Sequence, residues 1–420
     1  MKFRDASAPL SVAAHETTTR HVGALYPLLH DTGHGTPGVV IGLDLLGGCF
    51  SYDPFELYAA GILSSPNVVV FGQIGRGKSS FVKTYLHRQL AFGRSTFVVD
   101  PKGEYGSLAR SIGCEPLSLR PGGSLRLNPL DLVGSSGDDI DAQRLQLLES
   151  LLGSSLTRDL VPRERTVLEF ALASVTQRIQ VPTLPHLIEA LFSPEEKSAK
   201  QVNSTRHELA EDGRDIALEL RRLVHGDLKG MFDAETSSSI DLNGRVIVLD
   251  LSALYGSEAL GLLMVCATSW LHGVIQRQAL RHRRVILVVD EAWAILKDVA
   301  VARWLQSSWK LARAWGISNM AVLHRVSDLQ AVGGEGSEQR SLAEGILLDS
   351  ETRVIYAQPA GEIDSAAELL SLTKPEVELL GRLQRGTALW KVGNHSSLVH
   401  HIVGPGEYSL IDTDEAMRSL

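Results

Sequence analysis

At residues 72–79 the chain reads Gly72-Gln-Ile-Gly-Arg-Gly-Lys78-Ser79, directly after the apolar run Asn67-Val-Val-Val-Phe71. This sequence matches the pattern G-x-x-x-x-G-K-[ST]. The apolar run predicts a buried strand, and the four-residue spacing of Val82, Leu86 and Leu90 predicts a helix on the other side of the loop. An ordinary glycine turn is the alternative. A strand before the loop and a helix after it favour a phosphate-binding P-loop instead.

The residue types of this loop suit a polyphosphate. Its glycines let the backbone turn tightly and direct N–H groups at a phosphate near the start of the helix. Lys78 is expected to reach the β- and γ-phosphates of a nucleotide, and Ser79 to bind Mg²⁺ through its hydroxyl. The predicted nucleotide-binding residues are Gly72, Gly75, Arg76, Gly77, Lys78, Ser79 and Ser80.

The composition is that of an ordinary globular protein. The chain has 420 residues, of which 44% are hydrophobic, and a formal net charge of −8. Two or three domains with an ample core fit this length. The negative charge argues against a generally basic nucleic-acid binder. The cluster Arg281-His-Arg-Arg284 could line a channel, but we favour a solvated loop before a strand.

The cysteines and the longest apolar segment indicate a reducing, cytoplasmic location. Cys49, Cys114 and Cys266 are odd in number and widely separated, which fits neither a disulfide framework nor a C-x-x-C zinc site. No signal peptide is recognisable after Met1. The apolar stretch 259–274 is interrupted by polar residues and is too short to span a bilayer comfortably. We therefore expect a buried helix there, with no direct membrane span and any membrane contact made through a partner.

The hydrophobic pattern predicts four segments. Residues 1–37 form an irregular N-terminal arm whose histidines match no metal motif. Residues 38–132 begin with two short strands, a hairpin expected to pack on the nucleotide domain, and form the first part of an α/β core. From 133 to 239 the period becomes helical, which predicts an all-helical insertion. Residues 240–420 are expected to complete the core.

Acidic residues stand at or just beyond the ends of two predicted core strands. The run Ser95-Thr-Phe-Val-Val-Asp100 is followed by Glu104, a predicted catalytic residue, and this places both carboxylates at the rim where open α/β sheets bind ligands. The run Arg284-Val-Ile-Leu-Val-Val-Asp290-Glu291 has the form of a Walker B motif. Asp290 is expected to bind the Mg²⁺ shell, and Glu291 to polarise the attacking water. This motif is a weak signal alone and a strong one beside a P-loop.

The segment after this motif supplies two further catalytic candidates. A predicted helix over 301–315 carries Arg313, a candidate arginine finger, with Arg353 in reserve. A predicted strand over 319–324 ends at His324, which could sense the γ-phosphate. The alternatives are a solvated helix arginine and a satisfied buried histidine. Farther along we expect a strand over 352–357, a helix over 363–370 and a final β segment over 386–403.

The motifs in chain order are Gly72 to Ser79, Asp100-Pro-Lys-Gly-Glu104-Tyr105, Leu127-Asn-Pro-Leu-Asp131, Met231-Phe-Asp233, Asp290-Glu-Ala-Trp293 and Arg313-x-x-Gly316. This set resembles the FtsK/HerA-type P-loop ATPases, and within them the TraC-like conjugation ATPases of type IV secretion. The resemblance covers residue 38 to the C-terminus. It implies an α/β fold with a RecA-like core and an all-α insertion, ring-shaped hexamers, and ATP hydrolysis at subunit boundaries with Arg313 acting in trans.

Two features depart from that family. Its members usually end the strand after Arg313 with glutamine, whereas this chain has His324. Full-length secretion ATPases also carry a large N-terminal domain that docks on the membrane complex, whereas only about forty residues precede the matching region here. Another polypeptide is therefore expected to supply the docking function.

The expected function is ATP hydrolysis with Mg²⁺ that powers conjugative DNA transfer or type IV-like protein secretion. The expected partners are other copies of the chain in a homo-hexamer, the secretion or conjugation membrane complex at the inner face of the cell membrane, and DNA. One alternative is a DNA translocase or coupling-type motor of the same superfamily. Another is a nucleotide-gated assembly subunit that binds ATP but scarcely hydrolyses it.

Overall fold

The computed structural model describes residues 37–45, 47–131, 137–241, 243–257, 259–279, 282–296, 299–324 and 337–411. Its strands are β1 (Val39–Asp44), β2 (Cys49–Tyr52), β3 (Val68–Phe71), β4 (Ser95–Asp100), β5 (Leu117–Ser118), β6 (Val246–Asp250), β7 (Val285–Val289), β8 (Ile317–Leu323), β9 (Thr352–Ile355), β10 (Thr387–Val392) and β11 (His395–His401).

The longer helices alternate with these strands or stand together between β5 and β6. The helices are α1 (Pro54–Ala59), α2 (Lys78–Ala91), α3 (Gly106–Ser111), α4 (Gly137–Leu156), α5 (Pro162–Arg178), α6 (Leu184–Phe192), α7 (Glu196–Gln201), α8 (Arg206–Asp212), α9 (Arg214–Arg222), α10 (Leu260–Ala279), α11 (Trp293–Leu296), α12 (Val299–Leu311), α13 (Glu338–Leu348), α14 (Ile363–Leu369), α15 (Lys374–Leu380) and α16 (Tyr408–Ile411).

Within the described residues one sheet holds all eleven strands, in the order β2-β1-β11-β10-β9-β3-β8-β7-β4-β6-β5. The seven strands from β9 to β5 pair in parallel. The other four are antiparallel and extend the sheet beyond β9. The P-loop strand β3 lies within the parallel part between β9 and β8, so its loop opens at the edge where neighbouring strands also end.

The alternation of side chains along β3 explains why all four of its residues are apolar. Val68 and Val70 pack into the hydrophobic cluster that contains helices α2 and α3. Val69 and Phe71 pack into the cluster on the opposite face, which contains α4 to α6 and α10. Successive strand residues point to opposite faces, and here both faces are covered by apolar side chains. The strand is therefore buried along its whole length.

The helices α4 to α9 occupy the stretch where the sequence predicts an all-helical insertion. Their buried residues, such as Leu148, Leu168 and Leu220, join the same hydrophobic cluster as one face of the sheet. The domain boundaries at 132, 133 and 239 stay a prediction, since the packing forms one continuous cluster. Most of the proposed N-terminal arm, with its histidines, lies outside the described residues.

Several predicted elements change their bounds. The predicted final β segment is a hairpin of two strands, β10 and β11, because Gly393 turns the chain with a φ of 56°. The helix predicted over 301–315 begins at Val299 and ends at Leu311, followed by a 3₁₀ turn to Trp315. The β1–β2 hairpin pairs with β11 and is thus part of the sheet. Among the described residues, no helix has the length and apolarity that a bilayer crossing requires.

Candidate nucleotide-binding site

The loop between β3 and α2 has the backbone that its glycines permit. Gly75 and Gly77 have φ angles of 78° and 112°, in the left-handed region that other residues adopt only with strain. A Cβ placed on Gly72, whose φ is 153°, would lie 2.4 Å from Cβ of Tyr356. The loop therefore takes a conformation that larger residues would prevent, and its N–H groups stand at the start of α2.

A cavity of about 500 Å³ opens beside this loop. The residues that line it are Ile74, Gly75, Gly77, Lys78, Ser79, Ser80, Lys102, Glu104, Asp290, Glu291, Val322, His324, Arg385, Tyr408 and Ile411. Six of the predicted catalytic and metal-binding residues thus surround one space. They come from the loops that follow β3, β4, β7 and β8, four neighbouring strands that end at the same edge of the sheet.

Lys78 is the first residue of α2 and is 5% exposed. Its Nζ donates to the carbonyl oxygens of Gly72 and, at 3.2 Å, of Gln73. Burial lowers the pKa of Lys78 to about 8, although the charges of Asp290 and Glu291 act in the opposite direction. The ammonium is therefore held by the loop itself at the wall of the cavity, close to two acidic side chains.

Asp290 follows β7 and is buried at the base of the cavity. Its Oδ1 accepts the backbone N–H of Glu291 at 2.9 Å. Burial, with the nearby charges of Glu291 and Asp100, raises the pKa of Asp290 to about 7. A cation beside this carboxylate would favour its charged form. Mg²⁺ characteristically binds one or two carboxylates together with phosphate oxygens, so Asp290 and the Ser79 hydroxyl form a chemically suitable pair of ligands.

The second pair of acids has two different roles. Asp100 is fully buried and accepts backbone N–H groups of Tyr105 at 2.8 Å and Glu104 at 3.1 Å, so it fixes the turn after β4. Burial raises the pKa of Asp100 to about 6, against the effect of these hydrogen bonds. Glu104 instead lines the cavity. The sequence places both at the rim, and the structure puts only Glu104 in contact with the open space.

Glu291 is 2% exposed, and three side chains of the described residues contact it. Lys102 forms an ion pair with its Oε1, His324 Nε2 lies 2.5 Å from the same oxygen, and the indole N–H of Trp293 donates to Oε2. Burial alone would raise the pKa of Glu291, but these donors outweigh it and hold the pKa at about 2. The carboxylate is therefore charged and fixed at the cavity wall.

The two arginine candidates lie away from this cavity. Arg313 precedes β8, at the opposite end of that strand from His324, and its guanidinium donates to the carbonyl oxygen of Ser64 at 3.2 Å. Arg353 lies within β9 and donates to the carbonyl oxygens of Leu370 and Leu347 at 3.2 and 3.4 Å. The seven residues of β8 span about 20 Å, so Arg313 cannot reach the cavity of its own chain.

Arg76 and Gly72 support the loop without lining the cavity. The guanidinium of Arg76 is 3.4 Å from Oε1 of Gln73, and its carbonyl accepts the N–H of Gly386 at 2.9 Å. Sequence reasoning did not assign Lys102, Arg385, Tyr408 or Ile411 to the site. Lys102 lies within the Asp100-to-Tyr105 motif, so the sequence places it near the site, but nothing in the sequence indicates its ion pair with Glu291.

Comparison with known proteins agrees with this geometry. Residues 63–263 match the sequence family described as the central domain of the helicase HerA. Over 176 residues the chain is 23% identical to the type IV secretion system protein CagE of Helicobacter pylori (strain ATCC 700392 / 26695), a match that covers 42% of this chain and 17% of CagE. The chain thus spans less than a fifth of the length of that relative.

Two solved structures share the fold. VirB4 of Thermoanaerobacter pseudethanolicus superposes with a TM-score of 0.71 at 22% identity, over 90% of this chain and 100% of that one. The plasmid coupling protein TrwB in complex with ADP and Mg²⁺ superposes with a TM-score of 0.52 at 17% identity, over 80% and 86%. The chain therefore resembles the HerA central domain over residues 63–263 and shares the α/β fold of VirB4 and TrwB.

Proposed function

We propose that this chain hydrolyses ATP with Mg²⁺ and uses the cycle to drive conjugative or secretory transfer. The observation that carries the proposal is the single cavity in which the P-loop, Lys78, Asp290 and Glu291 meet. The similarity to CagE and the fold of VirB4 support a role in secretion over other uses of the same chemistry. The location we propose is the cytoplasm, at the inner face of the membrane, which the protein contacts through its partners.

Each residue of the cavity has a task that its position allows. The N–H groups of the loop and the ammonium of Lys78 bind phosphate oxygens, and the Glu291 carboxylate accepts a hydrogen bond from water and orients it. Ser79 and Asp290 would hold Mg²⁺, which neutralises phosphate charge when bound. Phosphoryl transfer depends on positioning and charge more than on covalent chemistry, so this set suffices for the part of the site that one chain supplies.

Assembly into a homo-hexameric ring is the second part of the proposal. Arg313 is exposed at the edge of the sheet opposite the P-loop. In a head-to-tail ring, different surfaces of neighbouring copies meet, so this arginine can face the cavity of the next subunit. A finger supplied in trans increases hydrolysis by about 10³- to 10⁵-fold where such fingers have been characterised. A ring would therefore hydrolyse ATP far faster than the isolated chain.

The first test is phosphate release as a function of protein concentration. We expect turnover to rise steeply with concentration, and to be lost in Lys78→Ala and in Glu291→Gln. Lys78→Ala should also weaken ATP binding, whereas Glu291→Gln should retain it because the carboxylate is not part of the phosphate cradle. The exposed ion-pair variant Lys200→Ala serves as the control and should behave as wild type. Full activity in either site variant would disprove the assignment.

Mixing two inactive variants tests the arginine in trans. Arg313→Ala and Glu291→Gln should each be inactive alone. In a 1:1 mixture about a quarter of the wild-type rate should return, because half of the sites keep Glu291 and half of their neighbours keep Arg313. A mixture that stays inactive, although both variants assemble, would remove Arg313 from the site.

A DNA translocase of the coupling type is the first alternative, favoured by the fold shared with TrwB. For this alternative we expect single- or double-stranded DNA to stimulate ATP hydrolysis, and the affinity of the protein for DNA to fall steeply as the salt concentration rises.

A nucleotide-gated assembly subunit is the second alternative. It is favoured by the contacts of Lys102, His324 and Trp293 with the Glu291 carboxylate, which take up acceptor sites that the attacking water would use. Tight ATP binding with no phosphate release at any protein concentration would support it.

A further inference from the structure

The contact between Lys102 and Glu291 joins two loops of the site that the sequence keeps far apart. Lys102 lies in the turn after β4, and Glu291 in the turn after β7. These strands are neighbours in the sheet, with Val99 opposite Val289, so both turns open at the same edge. The ammonium of Lys102 pairs with Oε1 of Glu291, and its side chain keeps about 23% of its surface exposed to the cavity.

We propose that Lys102 is a positioning residue for Glu291. Its ammonium holds the Glu291 carboxylate in the orientation that leaves an acceptor site for the attacking water. The inference rests on the proposed hydrolysis of ATP. It assigns to Lys102 a task in that reaction distinct from phosphate binding, which the P-loop and Lys78 perform.

Counting acceptor sites supports this task. A carboxylate offers about four lone-pair sites, two on each oxygen. When His324 donates its Nε2–H, Lys102 and His324 fill both sites of Oε1, and Trp293 fills one site of Oε2. Among the described residues no further donor contacts Oε2, which leaves one of its sites for a water O–H. Two donors on Oε1 and one on Oε2 thus leave Oε2 as the oxygen that can accept from water.

Of the two groups that contact Oε1, Lys102 is the one whose role as a donor is unambiguous. Nε2 of His324 is 2.5 Å from Glu291 and 3.0 Å from Nζ of Lys102, and one ring nitrogen cannot donate to the first and accept from the second at the same time. An ammonium has three N–H groups and no acceptor, so it donates to the carboxylate with either tautomer of the histidine. The charge pair therefore holds Oε1 in place with either tautomer of His324.

The backbone of Glu291 makes such support necessary. Its φ is 51°, in the left-handed region, although the residue is not glycine. A residue in this conformation persists only where the surroundings hold it, and such residues cluster at functional sites. The side chain is also nearly fully buried, and a buried carboxylate without a cation partner is unfavourable. Removal of the Lys102 ammonium should therefore let the carboxylate turn or shift.

The test compares Lys102→Met, which keeps the length of the side chain and removes its charge, with Lys102→Arg and with the exposed-pair control Lys200→Ala. A reactive group displaced by about 1 Å loses on the order of 100-fold in rate. We expect Lys102→Met to lower kcat by roughly this factor and Lys102→Arg to recover at least about tenfold of it. Affinities for ATP and ADP, measured with fluorescent nucleotides, should stay within about twofold of wild type, which also shows that the site is folded.

A second arm separates action through Glu291 from direct action on the phosphates. In the Glu291→Gln background, single-turnover hydrolysis measures the residual rate, and there Lys102→Met should change it by less than about twofold. An equal loss in both backgrounds, or a loss confined to ATP affinity, would overturn the proposal. A wild-type protein that releases no phosphate would instead refute the proposed function, so the two failures are distinguishable.

Discussion

A change of pH from 7 to 5 should destabilise the fold through His401. This residue ends β11, and its Nε2 lies 2.8 Å from the Thr84 hydroxyl on the P-loop helix α2. Its ring also stands edge-on to Phe81, with ring centres 5.8 Å apart. Burial lowers the pKa of His401 to about 4, and the nearby charge of Arg88 adds to this, while Glu407 acts in the opposite direction.

The sign and size follow from the two pKa values. In the unfolded chain the imidazole titrates near its ordinary pKa of about 6.5. Because the pKa is lower in the folded state, the unfolded chain takes up the proton first, and stability falls as the pH falls from about 6.5 to about 4. Relative to pH 7, the loss at pH 5 is about 2 kcal/mol. His272, buried beside Trp315 and also held at a pKa of about 4, should contribute a similar amount.

Urea unfolding at pH 7, 6 and 5, followed by tryptophan fluorescence, measures this loss. Between pH 7 and pH 5 the two histidines together remove about 4 kcal/mol of stability, while the raised pKa values of Asp290 and Asp100 act in the opposite direction. We therefore expect the stability of His401→Gln to change with pH by about 2 kcal/mol in its favour relative to the wild type. The exposed His207 provides a control, since His207→Gln should follow the wild type. The comparison uses the change with pH within each variant, so the intrinsic effect of the substitution cancels. An equal change in stability with pH in His401→Gln and in the wild type would refute the reasoning.

Three further substitutions test the packing around the site by urea unfolding. Gly72→Ala places a Cβ within 2.4 Å of Cβ of Tyr356. It should lower the free energy of unfolding by about 2–4 kcal/mol and weaken ATP binding. An unchanged stability and affinity would contradict the observed backbone. Leu220→Ala removes a fully buried side chain from the helical segment and should lower the free energy of unfolding by about 2–5 kcal/mol. A decrease of less than about 1 kcal/mol would place Leu220 outside the core. Lys83→Met should stabilise the fold by about 1–3 kcal/mol, because Nζ of Lys83 has no hydrogen-bond partner among the described residues; a loss of stability would show that the charge is compensated.

The parts of the site that the sequence predicted are those in which function depends on adjacent residues. The P-loop conformation follows from Gly75 and Gly77 and needs no knowledge of the rest of the chain. Asp290 is similar, since an apolar strand that ends in an acid places it at the carboxyl edge of a parallel sheet in most arrangements of the strands. These local signals were enough to indicate residues of the P-loop and of the strand ends that line the cavity.

The parts that were missed depend on which strands are neighbours. Lys102 meets Glu291 only because β4 lies directly beside β7, and nothing in the spacing of 189 positions reveals this adjacency. Tyr408 and Ile411 line the cavity because α16 packs against the P-loop helix α2. No sequence motif predicts this packing. Contacts of this kind are set by tertiary packing, so a single sequence leaves them undetermined.

The position of Arg313 connects the geometry of one chain to its assembly. Strand β8 has His324 just beyond one end and Arg313 before the other, and its register with β3 puts Leu323 opposite Phe71, at the level where the P-loop begins. The separation of about 20 Å is far longer than an arginine side chain, and no rotation of the side chain can close it. If Arg313 takes part in hydrolysis, it must do so in the cavity of another copy. Hydrolysis would then require the ring. Substitutions that prevent ring assembly without changing the cavity would abolish hydrolysis and leave ATP binding intact.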